Sequence, residues 1–168
     1  MKTLKLQSTV LLLAACVILQ SGCGPADSKD AIIGAAHPDN MARLVTLYTL
    51  YQSRNPGDGY MGPSDEEDFK EFVQGVDEKM LARIAVDKSS LDDVFMGDRD
   101  GEPYKIRYGV QGSARGCAEA AIFESVGVDG KRMVGFLNTV KKEVDSSEYD
   151  QLFSGEISAP VATPGRDR

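Results

Sequence analysis

Five carboxylates lie close together in the middle of the chain and are its strongest candidates for metal chemistry. They fall within 11 residues and are Asp92, Asp93, Asp98, Asp100 and Glu102. Hard oxygen ligands at alternate positions suit Ca²⁺, which takes about 6–8 of them. The segment from Asp98 begins like a calcium-binding loop, but Gly109 stands at its twelfth position, where such loops carry a glutamate. The candidate calcium ligands are therefore Asp98, Asp100 and Glu102.

The same segment has a simpler interpretation as a tight turn. Asp100 and Gly101 supply the bend, and Pro103 suits the first position of a strand. Arg99 places a positive charge among the carboxylates, which opposes the binding of a cation. We predict the turn, with calcium binding as the alternative.

The remaining reactive side chains form no catalytic pattern. His37 is the only histidine, and two of the three cysteines lie in the first 23 residues, so a Cys/His zinc site is excluded by count. The glycines at 57 and 59 lack the lysine and the strand–helix context of a phosphate-binding loop. Cys117 is predicted to be a small buried side chain. We predict a protein that is not an enzyme and has no cofactor other than the calcium considered above.

Basic, apolar and small residues follow one another at the N-terminus. Lys2 and Lys5 precede an apolar run over residues 9–19, and Ser21 and Gly22 are small. This order is typical of a secretory signal peptide, here residues 1–22. The apolar run is shorter than the roughly 20 residues that span a bilayer.

The residues that follow resemble the lipobox of bacterial lipoproteins, in which small residues precede a cysteine. The resemblance implies that Cys23 is acylated and becomes the new N-terminus. A second candidate, Cys16 after residues 13–15, fits the lipobox pattern better, but cleavage there would leave the apolar residues 17–19 in the mature chain. Cys23 is favoured, while Cys16 and an ordinary signal peptide with an incidental cysteine remain open.

The net charge of the chain restricts the kinds of molecule that it is expected to bind. Without residues 1–22 the chain has 146 residues and loses Lys2 and Lys5, so its formal charge falls from -7 to -9. An acidic protein is a poor partner for nucleic acid and for anionic lipid. The sequence therefore predicts no nucleic-acid binding, and contact with the membrane only through the lipid anchor.

Apolar periodicity predicts helices in the first half of the domain. A tether over residues 23–37 precedes a first helix, for which Pro38 and Asp39 or Asn40 give the start signal and which ends near Arg54. Ser64 and Glu67 predict a capping box for a second helix that ends at Gly75. A third helix is predicted over residues 77–85.

The second half of the domain is predicted to form mainly strands. Alternation predicts a strand over residues 104–110, and residues 120–128 and 131–140 predict two more, joined at Asp129 and Gly130 by a type I′ turn. Residues 93–96 are a candidate short edge strand. Asp145 or Ser146 caps a last helix through Phe153, and residues 156–168 are predicted to be disordered.

The expected fold is α+β, a single domain over residues 38–155. An N-terminal helix and short helices pack on a three- or four-stranded antiparallel meander. The predicted core residues are Leu44, Val45, Tyr48, Phe69, Phe72, Ile106, Tyr108, Ile122, Phe123, Val134 and Phe136. Because neighbouring strand residues point to opposite faces, Ile122 and Phe123 are not both expected to point inward.

Two stretches carry family resemblances. Residues 98–104, 108–109 and 123–134 resemble a family of uncharacterised exported bacterial lipoproteins over about residues 40–153, which implies no activity. Tyr51 and residues 58–64 resemble the helix exit of type II secretion pseudopilin heads, which implies a pilin-head-like fold. Some pseudopilin heads hold calcium near the sheet. The chain lacks the long apolar N-terminal helix of that family.

These observations predict an exported protein of the bacterial cell envelope, anchored in a membrane on its periplasmic or outer side. There it acts as a non-catalytic interaction or structural module that binds another envelope protein. The alternative is an exported domain that binds calcium or a small polymer through residues 92–102.

Overall fold

The computed structural model describes residues 38–158, and this part of the chain is α+β. The helices are α1 (Asn40–Arg54), α2 (Glu66–Gly75), α3 (Glu78–Arg83), α4 (Leu91–Val94) and α5 (Ser146–Ser154). The strands are β1 (Lys105–Ile106), β2 (Ala120–Phe123), β3 (Arg132–Phe136) and β4 (Lys141–Val144). They form one antiparallel meander in the order β1-β2-β3-β4. The predicted α+β class with an antiparallel meander is confirmed.

Several predicted segments lie outside the described residues. They are the signal peptide at 1–22, the tether at 23–37 with Cys16, Cys23 and His37, and residues 159–168 of the predicted tail. Within residues 38–158 no helix has the length and apolar character needed to cross a membrane.

The helices begin where a side chain accepts a backbone N–H group a few residues further along the chain. The Asp39 carboxylate accepts the N–H of Ala42 and begins α1, as the sequence suggested. The capping box predicted at Ser64 is wrong, because Asp65 caps α2 by accepting the N–H of Asp68. Ser64 instead donates its backbone N–H and its hydroxyl to the Asp68 carboxylate at 2.8 and 3.1 Å, so it remains outside the helix.

The strands are shorter than their apolar patterns predict, and some of them lie at other positions. The edge strand predicted over residues 93–96 is wrong, because Leu91, Val94 and Phe95 are buried at helical spacing and α4 forms there. The strand predicted to Val140 ends at Phe136. A turn with Thr139 at φ 70° follows and leads into β4, which was not predicted.

The sheet is covered on both faces, which contradicts the expectation for Ile122 and Phe123. Ala120 pairs with Phe136 and Ile122 with Gly135, so Ala121 is an extra residue, a β-bulge. The bulge turns Ala121 and Ile122 toward the α1 side, while Ala120 and Phe123 pack on the α5 side. Both Ile122 and Phe123 are therefore fully buried.

The larger core lies between α1, the short helices and the sheet. At its centre the Phe69 ring meets Tyr48 and Phe95 edge-on, with ring centroids 5.7 and 5.8 Å apart. Helix α1 lies close to β3, because a Cβ on Gly135 would come within 2.9 Å of the Met41 side chain. Eight of the predicted core residues are buried, whereas Phe72, Ile106 and Tyr108 are half-buried.

Candidate functional site

The acidic segment between α4 and β1 is a tight turn. The N–H of Gly97 donates to the carbonyl of Glu102 at 2.8 Å, and the N–H of Gly101 donates to the carbonyl of Gly97 at 3.0 Å. Gly101 has φ 71°, the left-handed conformation that favours glycine. The turn predicted at Asp100 and Gly101 is confirmed.

The structure does not bring the three candidate calcium ligands together. Asp98 accepts the backbone N–H of Asn40 at 2.7 Å and the Tyr104 hydroxyl at 3.3 Å. Asp100 turns the other way, toward the hairpin before β3, and Glu102 is exposed. Among residues 38–158 no three His, Cys, Asp or Glu side chains are grouped so that they could hold a metal ion.

We expect calcium to leave the melting temperature of the full-length protein unchanged. The carboxylates of Asp98 and Asp100 already accept hydrogen bonds from different parts of the fold. Free calcium at a concentration 100 times the Kd of such a site would add about 2.7 kcal/mol to the free energy of unfolding. A thermal melt detects a change of this size. Melts in calcium and in chelator make the comparison. A calcium-dependent rise would support the alternative in which residues 92–102 bind calcium.

Asp100 joins the turn to the β2–β3 hairpin. Its Oδ2 accepts the backbone N–H groups of Val126 and Gly127 at 3.1 and 2.9 Å, and its Oδ1 accepts that of Glu102 at 3.1 Å. Burial opposes ionisation of Asp100, but these N–H groups together outweigh it and hold the pKa of the carboxyl below its usual range.

The effect of replacing Asp100 should depend on pH. Because its folded pKa lies below the unfolded value of about 3.9, its carboxylate stabilises the fold at neutral pH, and this stabilisation is lost as the pH falls below about 4. Asp100→Asn should lower the free energy of unfolding by about 2 kcal/mol at pH 7 and by less at pH 3. Urea unfolding at both pH values measures this. The exposed Glu102→Gln is the control, and an Asp100→Asn deficit of equal size at both pH values would contradict the prediction.

Arg99 pairs with carboxylates outside the acidic segment, which its position in the sequence did not indicate. Its guanidinium bonds to Glu143 on β4 at 3.0 Å and lies 3.5 Å from Glu124. Glu124 is only 1% exposed, and it also accepts the N–H of Met133 at 2.7 Å. The positive charge therefore compensates a buried carboxylate, a partner that the sequence pattern does not reveal.

A second candidate site is a pocket of about 280 Å³ at the C-terminal end of α1, which we call the α1-end pocket. Its lining side chains are all uncharged, and the polar ones are Thr49, Gln52, Ser53, Tyr60, Ser113 and Cys117. Its volume is close to the lower limit for small-molecule sites, about 300 Å³. No local sequence pattern marks this site.

Two loops and one helix build the α1-end pocket. Tyr60 is held at φ 59°, a conformation uncommon for a residue with a Cβ. Its carbonyl accepts the N–H of Gly112 at 2.9 Å, and Met61 forms a β-bridge with Gln111. Gln52, which is 5% exposed, donates its side-chain amide to the carbonyl of Val110 at 2.8 Å. The pocket is therefore held by non-local hydrogen bonds.

Cys117 is half-buried at the edge of the α1-end pocket. Its thiol donates to the carbonyl of Gln111 and accepts the N–H of Glu119, both at 3.4 Å. Burial raises the pKa of the thiol above its usual range and outweighs the opposing effect of the Glu119 N–H. Cys117 is therefore a protonated thiol at neutral pH, which is the less reactive form.

Comparisons of the chain with protein-family models, with curated proteins and with solved structures give no match. The resemblances to exported lipoproteins and to pseudopilin heads therefore stay predictions from the sequence.

Proposed function

We propose that this protein is a lipid-anchored, non-catalytic interaction module of the bacterial cell envelope. The observation that carries the proposal is the N-terminal pattern of Lys2 and Lys5, an apolar run and small residues before Cys23. An acyl chain on Cys23 would contribute about 0.8 kcal/mol of membrane binding for each buried CH₂ group.

The distance between anchor and domain supports this arrangement. Residues 24–37 separate Cys23 from the first described residue, Pro38. Fourteen residues reach at most about 50 Å when fully extended. An acidic domain on such a tether would be repelled by an anionic membrane surface and would present its faces to other proteins of the envelope.

Replacing the lipidated cysteine tests the anchor. Cys23→Ala should move the protein from the membrane fraction to the soluble exported fraction, and the N-terminal peptide should lose its acyl mass. Cys117→Ala is the matched control and should stay in the membrane. Cys16→Ala separates the two candidate sites: release by this variant alone would move the anchor to Cys16. Membrane retention of all three variants would overturn the lipid anchor.

Crosslinking in cells tests the interaction role. The native chain, tagged after residue 168, should trap one recurrent envelope protein, and the Cys23→Ala chain should trap less of it because the two are no longer held at the same membrane. Equal crosslinking of many unrelated proteins by both chains would contradict a specific interaction module.

A further inference from the structure

The hydrogen-bond donors of the α1-end pocket are mostly used within the fold. The hydroxyls of Thr49 and Ser53 donate to the carbonyls of residues 46 and 50 at 2.9 and 2.8 Å. Ser113 donates to the carbonyl of residue 116 at 2.6 Å, and the thiol of Cys117 donates to that of residue 111 at 3.4 Å. Since a hydroxyl has a single hydrogen, these groups can offer a ligand only lone pairs.

The side-chain oxygen of Gln52 adds a further acceptor to the α1-end pocket. Its amide nitrogen must face the carbonyl of Val110, which cannot donate, so its Oε1 lies on the other side of the amide. Within residues 38–158 no group donates a hydrogen bond to this oxygen, and Gln52 lines the pocket. Within residues 38–158 the only side-chain nitrogen or oxygen that is both buried and unpartnered is Arg43 Nε, so the Gln52 oxygen is not sealed from solvent and a ligand N–H can reach it.

The position of the pocket favours a cation. Thr49, Gln52 and Ser53 belong to the last turns of α1, a helix of 15 residues whose C-terminal end carries partial negative charge. The basic residue of that last turn, Arg54, is directed away, over the Phe72 ring and toward the sulfur of Met80. Without residues 1–22 the chain has a net charge of -9, which attracts cations.

We propose that the α1-end pocket binds the guanidinium group of an arginine. A guanidinium carries five N–H donors in one plane and no acceptor, which complements a pocket of lone pairs, and its face stacks on an aromatic ring such as that of Tyr60. The group comes either from free arginine or from an arginine side chain of the envelope partner. The second source rests on the proposed function, whereas binding of the group itself does not.

Calorimetric titration of the full-length protein in detergent tests the proposal. The probes are N-acetyl-arginine amide and N-acetyl-citrulline amide, which have nearly the same shape, but citrulline is neutral and has an oxygen in place of one nitrogen. The arginine probe should bind at least about tenfold more tightly, the equivalent of one hydrogen bond to a charged group. Equal binding of the two probes, or binding of neither, would overturn the proposal.

Substitutions in and beside the α1-end pocket test whether the arginine probe binds there. Ser53 is exposed, so Ser53→Ala should keep the melting temperature and weaken the arginine probe about tenfold, while Gln52→Met should weaken it further. Arg115 lies in the loop beside the pocket, and Arg115→Gln should tighten binding because a like charge is removed. Unchanged affinity in both Ser53→Ala and Gln52→Met would place the probe elsewhere and reject the pocket.

A capped Gly-Arg-Gly peptide separates the two sources. Binding as tight as that of the single residue indicates that the pocket admits a side chain from a polypeptide. Exclusion of the peptide together with binding of free arginine assigns the pocket to free arginine and contradicts a partner's side chain. The Cys23→Ala chain should bind both probes unchanged, so a failed anchor and a failed pocket give different results.

Discussion

Gly62→Ala should lower the free energy of unfolding by about 3 kcal/mol, at the upper end of the range for overpacked cores. A Cβ at this position would overlap the hydroxyl and the ring edge of Tyr48. Tyr48 cannot move aside cheaply, because it is fully buried and its hydroxyl donates to the carbonyl of Arg107 at 2.9 Å and accepts the N–H of Val110 at 3.1 Å. A shift large enough to admit the methyl group would break both hydrogen bonds.

Urea unfolding of the full-length protein measures the Gly62→Ala deficit. Gly75→Ala is the matched control, since a Cβ there meets nothing within 4 Å and alanine is the better helix former at the end of α2. The control should be neutral or slightly stabilising. If Gly62→Ala differs from the wild type by less than about 1 kcal/mol, the close approach of Tyr48 and Gly62 is not a constraint on the fold.

Phe69→Ala should cost about 4 kcal/mol, since large-to-small changes of buried aromatics cost roughly 3–5 kcal/mol. Phe69 is 0% exposed and lies between the rings of Tyr48 and Phe95. Its loss leaves a cavity that these two rings cannot fill without breaking their own contacts. The cavity also lies beside the hydrogen bonds of Tyr48, so the loops that build the α1-end pocket should loosen with it.

Thermal and urea unfolding measure this loss, and a second phenylalanine provides the control. Phe153→Ala makes the same chemical change at a ring that is 39% exposed on the α5 side of the sheet. It should cost roughly a third as much, because less apolar surface leaves the core. Equal losses for the two variants would contradict the placement of Phe69 at the centre of the larger core.

Local signals made part of the fold predictable. The caps at Asp39 and Asp145, the Asp129–Gly130 turn and the apolar stripe of α1 act within a few residues, so the sequence displays them directly. Strand β4 was missed because Lys141, Lys142 and Glu143 are exposed and only Val144 is buried. A strand of that composition has no apolar alternation to detect.

The structural features that the sequence did not predict depend on residues that are distant in sequence. The bulge at Ala121 exists because β3 offers one residue fewer, and no feature of residues 120–123 alone indicates it. Gln52 resembles any polar residue near a helix end, and its role depends on Val110, 58 residues away. The α1-end pocket was therefore not predictable from local patterns, and the sequence of the acidic segment does not show that Asp98 and Asp100 bind different parts of the fold.

The start of α1 determines how the domain would respond to a pull on its N-terminal side. Asn40 donates its backbone N–H to Asp98, and its side-chain amide donates to the carbonyls of Asp93 and Met96 at 2.8 and 3.0 Å. Asp39 pairs with Lys141 on β4. Tension applied at residue 38 would thus be shared at once between the helix, the 93–98 segment and the last strand. These contacts must shear together, so the domain should resist mechanical unravelling from its N-terminus better than a helix held only by its apolar face.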